Sequence, residues 1–518
     1  MKGAFRQSMA WLHTWTGLVV GWALFVIFAT GSAAYFQEEI TAWMQPEARP
    51  ATNPVQAAED ALAFQQRAAP EVLGLYVTLP GPRGAATQLF WYPEADGREP
   101  GREATAWLDA SGREVAARAT EGGYFLYRFH FDLHYLPVIW ARYLVGVCAM
   151  TMLAAILTGI VTHKKIFADF FTLRLGKGQR SWLDAHNVTG VLALPFHLMI
   201  TYTGLVSLGS QYMPFGIQAA YEDPFTYQAE ILPTGPAAAP AGRAAPAAPL
   251  APMFAVAAER WDGARVGFVN VANPGDANAR VTLVRASDAG MATRGESLVF
   301  DGVTGALIAP ASNTAPAAKT ESVMIGLHAG RYAGTLLRWL YFLCGLAGAA
   351  MIATGLVLWT VKRRAKLPDP ARPHFGFRLV ERLNVAAVAG FPLGLASYFL
   401  ANRLLPLGLT GRAQWEVHCI FIAWGAAAAW AMVRPPRLAW TEVLGAAAAA
   451  FALVPVVNAL TTPRNLVASL VQGDFAFAAV DLVMIALAAA FAWAARKAAS
   501  SAAARPRPAP ARAAGAEA

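Results

Sequence analysis

Charge is scarce in this chain. Only 14% of its 518 residues are Asp, Glu, Lys or Arg, while 56% are hydrophobic; a soluble domain carries roughly 25% charged residues. That shortage excludes an ordinary water-soluble globular protein. Cysteine is nearly absent, with three in the whole chain, which excludes a disulfide scaffold. No glycine-rich phosphate-binding fingerprint is visible, so a flavin or nicotinamide site inside the chain is not expected. The net charge of +9 is spread over short loops and gives no sign of a nucleic-acid partner.

Long apolar runs take the place of charge. Eight of them reach the ~20 residues needed to cross a hydrocarbon core, near 14–36, 138–162, 187–209, 334–360, 384–402, 413–433, 438–460 and 475–496. The pattern predicts an all-α multi-pass membrane protein of about eight transmembrane helices in a lipid bilayer. Lys and Arg set the orientation. Lys2 and Arg6 precede the first run, Lys164, Lys165, Arg174, Lys177 and Arg180 fall in the loop 164–181, and Lys362, Arg363, Arg364 and Lys366 fall in the loop 362–382. Arg434 and Arg437 follow the sixth run, and five more cations sit in the C-terminal part. All lie on one side of an even-span chain, so both termini are expected in the cytoplasm. The first run has the basic start of a signal peptide, but its length and its His13 favour an uncleaved helix. The tail 498–518, rich in Ala, Pro and Arg, reads as disordered.

The chain repeats itself. Trp11-Leu12-His13-x3-Gly17 followed by Thr30-Gly31 matches Ala185-His186-x3-Gly190 followed by Thr203-Gly204, with the histidine seventeen residues before the threonine each time. Arg142 followed by Thr158-Gly159 matches Arg338 followed by Thr354-Gly355, with His134 and His328 ahead of them. Cys148 and Cys344 each lie eleven residues before the glycine of their pair. The Thr-Gly pairs themselves read as close-packing positions. A duplicated unit of helix, soluble segment and helix follows, the copies related by an axis along the membrane normal.

That topology sorts the histidines by depth. Spans one and three run outward, which puts His13 and His186 near the cytoplasmic face; spans two and four run inward, which puts His134 and His328 near the opposite face. Each pair can meet across a four-helix core. Two separated histidines per tier are too few for a zinc centre, which wants three or four ligands, but suffice as axial ligands of haem. No Cys-x-x-Cys-His occurs, so such a haem would not be covalently attached. His197 and His163 have no twin, since Leu24 and Trp359 occupy the matching positions. His197 lies about 16 Å along the helix from His186 and is an alternative ligand in place of His134 or His328; the competing reading is a core histidine bonded to a backbone carbonyl. His163, beside Lys164 and Lys165, reads as an interfacial residue near propionates or headgroups, with ligation of haem as the alternative. Arg142 and Arg338 occupy equivalent positions inward of the outer histidines and suit a haem carboxylate, whereas Arg331 reads as a side chain reaching for the interface. His130, one turn before His134, could face solvent or a substrate, and for His130, His374 and His418 a structural role is expected.

Two long segments, 37–130 and 210–327, lie on the non-cytoplasmic side. The first has a helical start at 57–69, candidate strands at 72–79, 88–92 and 104–108, and a turn at Asp109-Ala-Ser-Gly112. The second repeats this order with a helix at 252–261, strands at 265–271, 280–286 and 297–300, and a turn at Asp301-Gly-Val-Thr-Gly305. An Ala/Pro/Gly linker precedes it at 233–252. This unit resembles the PepSY domain, and the His-x3-Gly and Thr-Gly helices resemble the PepSY-associated transmembrane family over residues 1–366. The stretches Gly159-Ile-Val-Thr-His163-Lys-Lys-Ile-Phe167, Arg180-Ser-Trp-Leu-Asp184-Ala-His186-Asn187 and Leu194-Pro-Phe-His197 are similar to its di-haem siderophore (ferrioxamine) reductase branch.

The resemblance implies two inserted α+β PepSY-like periplasmic domains, two haem b groups, and reduction of a ferric siderophore on the periplasmic side to release Fe(II). Electrons would come from a cytoplasmic or quinol donor. It covers the four-helix core and leaves the four additional helices at 383–497 outside. Two other readings stand beside it. One is a non-enzymatic membrane protein whose PepSY-like domains bind a peptide or periplasmic partner; the other is a siderophore or iron transporter component.

Overall fold

The apolar runs fold as helices because a chain in hydrocarbon must satisfy every backbone polar group within itself. The computed structural model describes residues 2–49, 51, 53–83, 86–93, 104–163, 172–231, 238–292, 296–311 and 315–503. Lys164, Lys165 and the stretch to Phe171, the first part of the Ala/Pro linker, and the tail beyond residue 503 lie outside these. Among the described residues, seven helices are long and apolar enough to cross a membrane, and the bent pair Gln179–Leu192 and Leu194–Ser207 is apolar and long enough when taken together. The chain divides into two compact units, residues 1–362 with 474–480, and residues 363–473 with 481–518.

In the first unit, α1 (Lys2–Ala34) leads to a short α2 (Gln37–Met44) and then to α3 (Pro54–Ala68). Strands β1 (Val72–Thr78), β2 (Thr87–Pro93) and β3 (Ala104–Leu108) follow, then α4 (Gly122–Asp132) and the spanning α5 (Val138–Thr162). The second half repeats the plan. Helices α6 (Gln179–Leu192) and α7 (Leu194–Ser207) precede α8 (Leu250–Arg260) and strands β4 (Val266–Ala272), β5 (Arg280–Arg285), β6 (Ser297–Asp301) and β7 (Leu307–Ala311). It closes with α9 (Pro316–Ala329) and the spanning α10 (Thr335–Arg364). The first six strands lie within one residue of their expected ends; β7 was not expected.

Two features depart from the expected plan. The third span, expected as one helix at 187–209, is broken into α6 and α7, which meet at 67°. Pro195, in the first turn of α7, has no N–H to continue the α6 ladder and restricts the residue before it. The two inserted segments also do not form separate sheets. Their strands join in one seven-stranded antiparallel sheet in the order β3-β2-β1-β4-β5-β6-β7, with Leu75 opposite Val271 and Val77 opposite Val269 at the seam. A three-stranded sheet of β1–β3 and a four-stranded sheet of β4–β7 would each otherwise expose an unpaired edge at β1 or β4, and alternate residues of β1 and β4 feed one shared core under α3 and α8 that includes Leu75, Val77, Met253 and Val269.

Turn chemistry closes the hairpins as the repeat suggests. The Asp109 carboxylate accepts bonds from Ser111 Oγ at 2.6 Å and from the Ser111 and Arg113 amides, bonds that hold its pKa down to about 2. Asp301 accepts from the Val303 and Thr304 amides at 3.1 and 2.9 Å, and Gly305 supplies the positive φ of 76° that ends the turn.

The second unit holds α11 (Phe375–Val385), a π-helical turn at Ala386–Gly390, α12 (Phe391–Leu404), α13 (Arg412–Val433), α14 (Pro436–Thr461) and most of α15 (Phe475–Ala503). Glu416 and Asp481 are fully buried here with Asn402 and Asn458. Arg412 pairs with Glu416, Asn402 donates to Glu416 at 2.8 Å, Arg403 donates to Asn458 at 2.9 Å, and Asn458 donates to Asp481 at 2.9 Å. Two arginines and two carboxylates thus neutralise one another, as buried charge requires.

Two stability outcomes follow from this packing. A Cβ on Gly123 would lie 2.2 Å from the Gln37 carbonyl oxygen, a backbone atom that cannot swing aside. Gly123→Ala should therefore cost about 1–3 kcal/mol by overpacking, read as a lower midpoint of thermal unfolding in detergent. Glu416→Ala, which strips the buried Arg412 of its partner, should cost about 3–5 kcal/mol in the same measurement.

Candidate functional site

Four histidines of the first unit share one arrangement. His13 on α1 bonds through Nδ1 to the Ala155 carbonyl of α5 at 2.8 Å, and His186 on α6 to the Met351 carbonyl of α10 at 2.8 Å. His130 on α4 bonds to the Ile27 carbonyl of α1 at 2.7 Å, and His328 on α9 to the Ile200 carbonyl of α7 at 3.0 Å. A carbonyl can only accept, so Nδ1 carries the proton in every case and Nε2 keeps its lone pair. No described residue bonds to any of the four Nε2 atoms. That is the tautomer of a metal-ligating histidine, whose second nitrogen is ordinarily anchored in this way.

The Thr-Gly pairs build the seats. Each accepting carbonyl lies four residues before the glycine of a Thr-Gly pair, and that glycine faces the ring. A Cβ would meet the ring of His130 at 2.6 Å from Gly31, of His328 at 2.8 Å from Gly204, of His186 at 3.1 Å from Gly355 and of His13 at 3.2 Å from Gly159. The threonine hydroxyl shares the same carbonyl, with Thr30 on Ile27 at 3.3 Å, Thr158 on Ala155 at 3.1 Å, Thr203 on Ile200 at 3.3 Å and Thr354 on Met351 at 3.0 Å. The pairs expected as packing positions therefore receive the histidines.

The rings meet in two tiers. His13 and His186 have ring centres 6.1 Å apart, and His130 and His328 have ring centres 5.9 Å apart. Two imidazoles on opposite sides of one ion, each about 2 Å from it through nitrogen, have centres about 6 Å apart. Among the described residues there is no group of three or more His, Cys, Asp or Glu that could hold a metal ion, so the donor set is two imidazoles per tier. That set, with a glycine leaving room beside each ring, fits a bis-histidine haem. On α1 the first-tier His13 and the second-tier seat Gly31 are eighteen residues apart, about 27 Å along the helix. A cavity of about 240 Å³ surrounds the second tier, lined mainly by apolar side chains with Tyr35, Arg83, Tyr127 and Arg331 among the polar ones.

The expected partner of His328 was His134, and this is corrected: His130 stands opposite His328. His134 lies beyond the left-handed cap at Leu133 that ends α4, with its ring 5.4 Å from Phe125 and 4.3 Å from Tyr135. The depth argument chose between two histidines one turn apart and took the one outside the helix. A signal for His130 was present, because it lies four residues after the buried Leu126 on the same helical stripe.

The remaining expected residues do not reach the tiers. His197 is 1% exposed and its Nε2 donates to the Cys344 carbonyl at 3.2 Å, the core-histidine alternative. The Asn187 amide donates to His163 Nε2 at 2.9 Å, so His163 is tied to the residue next to His186. Arg142 pairs with Asp132 at 2.9 Å. Arg338 pairs with Glu39 at 3.0 Å and donates to the Ala333 carbonyl. Neither arginine lines the second-tier cavity, which Arg83 and Arg331 do.

Comparison with known proteins agrees with the helical pattern. The PepSY-associated TM region family matches residues 10–362. The chain is also similar to the uncharacterized protein PA4219 of Pseudomonas aeruginosa, 26% identical over 306 residues, which cover 57% of this chain and 76% of that protein.

The seats give a direct test. Alanine in mid-helix ordinarily stabilises, yet Gly31→Ala and Gly204→Ala should push a ring off its carbonyl and weaken any binding of added haemin about tenfold or more. Gly425→Ala, with nothing within 4 Å of the added Cβ, should leave it unchanged. Absorbance titration of the purified variants with haemin reads the difference.

Proposed function

Given that the chain belongs to the PepSY-associated transmembrane family, we propose that it is an inner-membrane di-haem b electron-transfer protein of the ferric-siderophore reductase branch. The observation that carries this reading is the pair of facing histidines in each tier, all four with Nε2 lone pairs left for a metal. His13 and His186 would hold the inner haem, and His130 and His328 the outer one. When bound, the haems supply a pair of one-electron carriers, one near each face of the bilayer.

The chain's own residues do three things. The four histidines ligate, and the carbonyls of Ile27, Ala155, Ile200 and Met351 hold their protons on Nδ1 and raise the basicity of Nε2. The glycine seats fix the rings against neighbouring helices, so that the ligands need little rearrangement on oxidation or reduction. No side chain is required as a general acid or base. The substrate is a ferric siderophore docked on the periplasmic face; one electron converts its Fe(III) to Fe(II), which hard oxygen ligands hold less tightly, and the iron is released.

The basic loops favour cytoplasmic termini and a periplasmic sheet. Electrons would enter from a cytoplasmic or quinol donor on the side of His13 and His186.

A visible spectrum with pyridine haemochrome assay tests the reading. Two haem b per chain are expected, and a colourless preparation would sink it. Alanine at His13, His186, His130 or His328 should each cost one haem of the two. His134→Ala and His197→Ala should keep both; loss of a haem from His134→Ala with retention in His130→Ala would restore the rejected pairing.

A further inference from the structure

The cavity around the second tier contains a cation without an anion. Gly330, at φ 62°, caps α9 two residues after His328 and turns the chain so that Arg331 lines the same cavity as His130 and His328. The Arg331 guanidinium stands 5.9 Å from the centre of the Tyr127 ring. No carboxylate among the described residues pairs with it. The other arginines nearby are committed: Arg83 to Glu38 and Glu39 at 3.0 and 2.6 Å, Arg128 and Arg142 to Asp132 at 2.5 and 2.9 Å, and Arg338 to Glu39 at 3.0 Å.

A half-buried guanidinium facing apolar walls needs a counter-charge, and its planar fork matches a carboxylate. The Tyr127 ring attracts the cation without accepting its N–H bonds, which stay available to a carboxylate. We propose that Arg331 binds a carboxylate of the group clamped between His130 and His328, which on the reading above is a propionate of the outer haem. The assignment rests on that reading and moves the role expected of Arg142 and Arg338 to a residue that reads, in sequence, as merely interfacial. Arg331 is a positioning residue with an electrostatic consequence. A cation held next to this group disfavours the extra positive charge of the ferric state, so it raises the potential of the outer haem and draws the electron outward.

The test uses the full-length purified protein with Arg331→Gln and Arg331→Lys, reading haem content by pyridine haemochrome and midpoint potentials by spectroelectrochemical titration. The glutamine variant should show one of the two potentials shifted downward and the other unmoved, with the lysine variant restoring most of the shift. Loss of one haem from the glutamine variant but not from the lysine variant also supports the assignment. Unmoved potentials, equal shifts of both, or loss of the same haem from both variants overturn it. Wild-type protein carrying two haems alongside any of these results means that Arg331 alone was misassigned; wild-type protein without haem overturns the underlying reading as well.

Discussion

A hydrogen bond from histidine Nδ1 to a helix carbonyl, made possible by a glycine one turn further on, is the constraint on which the first unit depends. It occurs four times with one chemistry. A helix carbonyl is already engaged in its own ladder, and it can take a second donor only if the donor approaches from the side. A β-carbon at the glycine would occupy that approach. The glycine therefore fixes where the ring lies, the carbonyl fixes which nitrogen keeps its proton, and the partner helix brings two such rings to about 6 Å. Remove the glycine and the ring moves; remove the carbonyl contact and the tautomer is free.

The duplication explains why the two tiers are alike, and its imperfections explain how they differ. α1 crosses without interruption, whereas its counterpart breaks between α6 and α7 at Pro195. The break leaves His186 and Gly204 eighteen residues apart, the same spacing as His13 and Gly31, but on two helices. The second tier sits where the chain turns toward the sheet, and it gathers Arg83 from the loop after β1, Tyr35 from the end of α1 and Arg331 from beyond α9 around its cavity. Tyr35 also reaches the His328 carbonyl at 3.5 Å. One tier is thereby wired to the soluble segment.

Much of this was legible in the sequence. Apolar run length located the spans, the helix–strand–turn order shared by the two segments located six strands, and the repeat brought out His13, His186 and His328. What escaped was whatever depended on contacts between distant segments. Leu133 ends α4 one residue before His134, and nothing local distinguishes a histidine just inside a helix cap from one just outside it except the stripe that Leu126 and His130 share. The seam between β1 and β4 joins strands almost two hundred residues apart, and each half reads as a complete small domain by itself. Arg142 and Arg338 are equivalent in the repeat, but their partners Asp132 and Glu39 are not, so symmetry alone assigned them a role that neither is free to take. In the second unit, nothing local in the sequence shows that the fold closes Arg412, Asn402 and Asn458 over Glu416 and Asp481.

The electron paramagnetic resonance spectrum of the fully oxidised purified protein tests the central claim most directly, because it reports the ligation of each iron separately. Two bis-imidazole sites predict two low-spin ferric signals and no high-spin iron. High-spin iron at either site, a single low-spin signal integrating to one haem per chain, or the absence of haem iron would contradict the account.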